Sequence, residues 1–216
     1  MRLIVYDRTC VRRGGGLTIP WAIGARLYRG LGRSDALAGV ASWAEAFDVA
    51  LAQPAPIEEL QYWGHGKWGR VFVDRDVLAA DAFSPAHALH DRLHALRERL
   101  APDALVWLRT CETFGAECGH DFAQRLADVL GARVAGHTYV IGFHQSGLHG
   151  LLPGARPDWA TDEGLARGTP EAPERAKGSR PWAPRTLTCL ASAIPPAWFT
   201  RAGTSAPAGS GSGATP

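Results

Sequence analysis

Apolar residues fall in two rhythms along this chain. Leu3 to Tyr6 (LIVY), Ile57 to Trp63 and Ala104 to Leu108 are short continuous runs rich in β-branched and aromatic side chains. Such runs are expected of strands covered on both faces. Arg133 to Ile141 holds one or two further strands, Arg70 to Asp74 (RVFVD) a small hairpin arm, and Thr186 to Ala191 one more apolar segment. The intervening stretches repeat every three or four residues, the spacing of one helical face. A short helix is predicted behind Pro20, over 20–31. Ser34 caps the next, with Leu37, Val40, Ala44, Phe47 and Leu51 on one side and Gln53-Pro54-Ala55-Pro56 ending it. Ser84-Pro85 starts a third, with Leu89, Leu93, Leu96 and Leu100. Phe122, Leu126, Val129 and Leu130 mark a fourth, closed by Gly131.

Strands alternating with helices need crossover connections, so the pattern predicts an α/β fold, a three-layer α/β/α sandwich with a mainly parallel sheet. One domain is expected over 1–201, with 142–201 a Trp-, Pro- and Gly-rich extension and 202–216 (AGTSAPAGSGSGATP) a flexible, disordered tail. Ligands of such sheets sit beyond the carboxyl ends of the strands. GHGKWG (64–69) and RTCETFG (109–115) both lie just past a predicted strand end.

Composition narrows the function classes. The 216 residues are 46% hydrophobic and 20% charged, enough to bury a core without staples. Lys+Arg 23 against Asp+Glu 21 gives a net charge of +2, and the basic residues are scattered, which argues against a nucleic-acid partner. The opening MRLIVYDRTC meets Asp7 and Arg8 before an export signal could form, and no apolar stretch is long enough for a bilayer. A cytoplasmic protein without a membrane partner is expected, with Cys10, Cys111, Cys118 and Cys189 as free thiols.

A thiol becomes a useful nucleophile when a base or field raises its thiolate fraction, and histidine is the usual partner near neutral pH. His65 and Cys111 each follow a buried-looking strand of one sheet and can meet at one rim. Gly66 lets backbone approach a ligand, and its N–H with that of Cys111 can face a developing oxyanion. The bland reading of the same residues is a buried cysteine and a turn histidine.

Apolar strand, His-Gly, then a second apolar strand ending in Cys resembles the caspase-like cysteine peptidases, a clan including caspases, gingipains, clostripain and separase. A bacterial domain of unknown function within that fold, found ahead of repeat-rich surface proteins, is similar over HGKWGRV (65–71), CETFGAECGHDFAQRLADVLGARVAGH (111–137) and Ile141-Gly142. The resemblance covers residues 57 to 142. It implies a caspase-like fold, hydrolysis of a peptide bond without a cofactor, His65 as general base or orienting group, Cys111 as nucleophile and Gly66 N–H as oxyanion donor. The Gln-Ala before the caspase nucleophile and the Gly two places after it are replaced here by Arg109-Thr110 and Thr113. A catalytically silent module that binds a protein or peptide is the alternative.

Other residues invite weaker readings. Cys118, His120, His137, His144 and His149 lack the pairing that fixes a zinc site, so no metal is expected. His87, His90 and His94 share the polar side of their helix, and Gly14-Gly15-Gly16 beside Arg12 and Arg13 lacks the Lys-Ser/Thr of a phosphate loop. Trp68, in a turn, is expected to line a substrate groove, with Trp63 in the core. Arg12 and Arg13 would select an acidic substrate residue, whereas Asp158, Asp162 and Glu163 beside Trp159 would select Arg or Lys. The sequence favours the basic preference, because three carboxylates lie within six residues.

Overall fold

The computed structural model describes residues 1–11 and 16–201. Arg12 and Arg13, offered as selectors of an acidic substrate residue, lie outside the described residues with Gly14-Gly15, as does the expected tail. In chain order the elements are β1 (Arg2–Asp7), α1 (Thr18–Gly30), β2 (Ala36–Val40), α2 (Trp43–Leu51) and β3 (Ile57–Trp63). An arm of β4 (His65–Lys67), β5 (Arg70–Val73) and β6 (Asp76–Leu78) follows, then α3 (His90–Arg99), β7 (Leu100–Arg109), α4 (Ala116–Leu130) and β8 (Arg133–His137). The last third carries short strands: β9 (His144–Gln145), β10 (Leu148–Leu151), β11 (Leu165–Gly168), β12 (Pro173–Ala176), β13 (Leu187–Thr188) and β14 (Phe199–Thr200).

Seven strands form the central sheet in the order β14-β10-β8-β7-β3-β1-β2, and every neighbouring pair is parallel except β8 with β10. The parallel strands therefore end together, at Asp7, Trp63, Arg109 and His137. Alternate residues of each strand supply two separate cores. Leu3, Val5, Val106 and Leu108 pack with Phe47, Leu93, Leu96, Phe122 and Leu126, so α2, α3 and α4 cover one face. Ile4, Tyr6 and Trp63 meet Ala25 and Tyr28 of α1 on the other. Trp107 and Leu105 meet Ile194, Leu187 and Trp198, so half of that second layer is irregular chain from the last third and not helix.

The expected helix capped by Ser34 is instead strand β2 followed by α2. The signal for this lay in Ser42-x-x-Glu45: the Ser42 hydroxyl accepts from Glu45 N–H at 3.1 Å, and the Glu45 carboxylate reaches back to Ala41 N–H at 2.8 Å. Leu37 and Val40 then belong to an edge strand. The third helix begins at His90 and not behind Pro85, because residues 84–89 form turns before Leu89, Leu93 and Leu96 settle on the core. Gly131 ends α4 in the left-handed region at φ 58°, as expected of a C-terminal glycine. The four cysteines form no disulfide.

Candidate functional site

Beyond the carboxyl ends of β3 and β7, two loops clasp one another. Trp68 N–H donates to Glu112 O at 3.1 Å and Gly69 N–H to Thr113 O at 2.8 Å, while Glu112 N–H and Phe114 N–H reach Tyr139 O and His137 O, both at 2.9 Å. Trp68 and Glu112 hold positive φ, 29° and 42°, which non-glycine residues adopt only under constraint. Between the loops there is no room at Gly66. A Cβ there would lie 2.2 Å from Thr113 Oγ1, 2.7 Å from Thr110 Cβ and 2.8 Å from Cys111 O. The His-Gly turn and the cysteine loop are thus in backbone contact, and His65, Gly64 and Cys111 line a common cleft of ≈ 440 Å³.

The state of each reactive group follows from its neighbours. Cys111 Sγ accepts from Ile141 N–H at 3.4 Å, and burial pushes the thiol above its ordinary pKa more strongly than that hydrogen bond lowers it. His65 Nε2 lies 3.2 Å from Cys10 Sγ, in the loop after β1, with Trp21 edge-on to its ring at 5.3 Å. The histidine therefore shares a cleft with one thiol and is hydrogen-bonded to another. The cleft walls are apolar and aromatic, from Leu17, Pro20, Trp21 and Tyr28 on α1 and its approach to Phe143 and Leu190 opposite.

The residues expected to choose the substrate are elsewhere. Trp68 is buried against Ala116 and Ala176 and borders a separate cleft of ≈ 810 Å³ with Lys67, Arg70, Cys118 and Asp121. Trp63, expected only in the core, lines the His65–Cys111 cleft. The carboxylate trio does not. Glu163 is bound by His149 Nε2 at 2.7 Å and by Thr138 Oγ1 at 2.8 Å, Asp158 accepts from Thr200 Oγ1 at 2.5 Å, and Asp162 caps a turn through its carbonyl to Leu165 N–H. Arg185 Nη1, 2.6 Å from His149 Nδ1, and Trp159 stacked on the His149 ring at 4.4 Å complete this interior network. Glu163 ties the last third to β10 through His149, Asp158 and Asp162 are exposed, and none of the three carboxylates lines the His65–Cys111 cleft.

Sequence reasoning missed Arg109, Cys10, Gln145 and the α1 wall. An arginine at the end of an apolar strand was the available signal. Arg109 is 4% exposed, with its guanidinium 3.9 Å from the Trp107 ring centroid, and burial lowers its pKa. Among the described residues no group of three metal-ligating side chains assembles, and no described helix is long and apolar enough to cross a membrane.

Residues 35–157, more than half of the chain, match a domain of unknown function, DUF4347. The chain belongs to the DUF4347 family. No curated protein and no solved structure matches it. The DUF4347 segment includes His65, Gly66, Cys111 and the Ile141-Gly142 wall, whereas α1 and Cys189-Leu190 reach the same cleft from outside it, and Cys10, also outside it, contacts His65.

Proposed function

We propose that this DUF4347 protein is a caspase-like cysteine peptidase working through Cys111 and His65. The observation that carries the reading is the close approach at Gly66, which sets the His65 turn against the Cys111 loop so that His65 and Cys111 line one cleft. The resemblance of residues 57 to 142 to the caspase-like clan supports it. In the reaction His65 takes the thiol proton as Cys111 Sγ bonds to the substrate carbonyl carbon, with Gly66 and Cys111 N–H groups facing the oxyanion. The C–N bond then breaks as His65 delivers a proton to the leaving amine. Water attacks the thioester, giving a proton to His65, and the acid leaves with the thiol restored. Cys111→Ala and His65→Ala should each abolish peptide or self-cleavage while the unfolding transition stays in place. Turnover that survives Cys111→Ala overturns the proposal.

One observation favours a second reading, a silent peptide-binding module. His65 Nε2 is hydrogen-bonded to Cys10 Sγ at 3.2 Å, and burial, which raises the Cys111 thiol pKa, acts in the same direction. That reading predicts peptide binding unchanged by Cys111→Ser and no turnover from any peptide library.

A further inference from the structure

Arg109 ends β7 in the same lateral row as Trp63 of β3, at the floor of the cleft. Its charge is buried without an acidic hydrogen-bond partner among the described residues. Nη1 donates to Tyr28 OH at 2.6 Å and to Cys189 O at 3.2 Å, and Nη2 to Ala191 O at 2.5 Å, all neutral acceptors. Among the described residues Nε is buried and meets no acceptor, and Ala191 O is the one acceptor given to Nη2. Glu59 on β3 acts on Arg109 only at a distance, its carboxylate being bound by Gln61 Nε2. The rings of Trp107, Tyr28 and Trp63, at 3.9, 5.3 and 5.5 Å, compensate part of the charge. A buried cation held this way is ordinarily costly, and an incoming anion would relieve the cost.

A second orphan lines the same wall. Gln145 is 6% exposed and its Oε1 is buried without a partner. A side-chain amide can present its NH₂ end in place of its oxygen by a half-turn, giving a further donor. No Asp or Glu lines the cleft among the described residues, while Leu17, Trp21, Phe143 and Leu190 give it an apolar rim.

We infer that this cleft is a carboxylate-binding site: a peptide carboxylate flanked by bulky apolar residues is received by Arg109 Nε–H and Nη2–H, with the Gln145 amide beside them. The carboxylate can come from an acidic side chain or from a peptide C-terminus. The inference does not depend on turnover, because binding can be measured with the reactive thiol removed.

The test uses the full chain carrying Cys111→Ala and the change in tryptophan fluorescence on titration. The probes are four apolar hexapeptides: three blocked at both ends with a central Glu, Gln or Lys, and one neutral peptide with a free C-terminus. The Glu peptide, the free-terminus peptide or both should bind at least tenfold tighter than the Gln peptide, and whichever does so names the source. The Lys peptide should bind weakest. Arg109→Gln should bring the carboxylate and Gln peptides within about twofold of each other, whereas a merely structural loss would weaken all probes alike. Should Arg109→Gln fail to fold, the unmodified cleft and Gln145→Leu, expected to lower the same ratio severalfold, decide the matter. Equal binding of carboxylate and Gln peptides, or tighter binding of the Lys peptide, overturns the inference. Hydrolysis could fail with this binding intact, so the two ideas fail separately.

Discussion

Adding one methyl group at Gly66 should cost this protein more than its size suggests. Both neighbours of the new Cβ are immobile: Thr110 and Thr113 are fully buried, their hydroxyls 2.6 Å apart, and Thr113 Oγ1 also donates to Cys111 O at 3.1 Å. Rotating Thr113 away relieves the 2.2 Å contact but breaks that pair, and the 2.7 and 2.8 Å contacts with Thr110 Cβ and Cys111 O persist. The loops must part by about an ångström before carbon contacts reach the usual 3.5–4.0 Å range. Overpacking of this kind costs about 1–3 kcal/mol and the lost hydrogen bond about 0.5–1.5 kcal/mol. Against these, replacing Gly by Ala restricts the unfolded chain and returns about 0.4–1 kcal/mol. The net expectation for Gly66→Ala is about 1–3 kcal/mol of destabilisation, or a Tm lowered by about 3–10 °C in a chain of this length. Gly142→Ala is the control, because a Cβ there meets nothing within 4 Å although the residue lines the same cleft. It should change stability by less than about 0.5 kcal/mol. Urea denaturation of the two variants in parallel measures the difference. Equal midpoints would refute the claim that the histidine turn and the cysteine loop are locked together.

Three other outcomes follow from the same structure. Because burial raises the Cys111 thiol pKa, its alkylation by iodoacetamide at pH 7 should be slower than that of a small free thiol and should still be climbing above pH 9; a rate already flat at pH 7 would contradict this. Burial holds His137 down to about 3 and His120 to about 4, and also lowers His149, so the unfolded chain takes up more protons than the folded one below its own value of about 6.5. Stability measured by urea titration should therefore fall steadily from pH 6.5 towards pH 4, and a constant value between pH 7 and pH 5 would refute that account. Phe122→Ala, at a fully buried position on α4, should cost about 3–5 kcal/mol by calorimetry or denaturant titration, whereas a loss under 1 kcal/mol would mean the α4 face is not packed as described.

The strands that the chain builds from continuous apolar runs were legible before the structure. Ile57–Trp63 is β3 residue for residue, and LIVY lies inside β1. The rim positions of His65 and Cys111 follow from those runs, since a strand end is marked by the residue at which apolar character stops. Edge strand β2 was not legible, because Leu37 and Val40 also fit a helical face and only the Ser42–Glu45 cap separates the two. Site residues contributed by distant chain were not legible either. Cys10 and Arg109 acquire their meaning from tertiary neighbours, His65 Nε2 for the first and the carbonyls of Cys189 and Ala191 for the second. Asp158, Asp162 and Glu163 look like a pocket in one dimension, yet two of them serve as acceptors for His149, Thr138 and Thr200 away from the cleft.

The sheet order carries a consequence for anyone who would excise the domain. β1 lies between β2 and β3, so a fragment cut to residues 35–157 would lack a strand from the middle of its sheet, and β14 from its far edge. Leu3, Ile4 and Val5 are each no more than 2% exposed, and the gap they leave would strip both layers at once. Recombinant work should treat the matched stretch as a signature and not as a folding unit. Conversely, supplying residues 1–34 as a separate chain beside residues 35–201 should let the two pieces reassemble, because the missing strand docks by main-chain pairing on both sides. A split protein of this kind would put cleft assembly under the control of whatever brings its halves together.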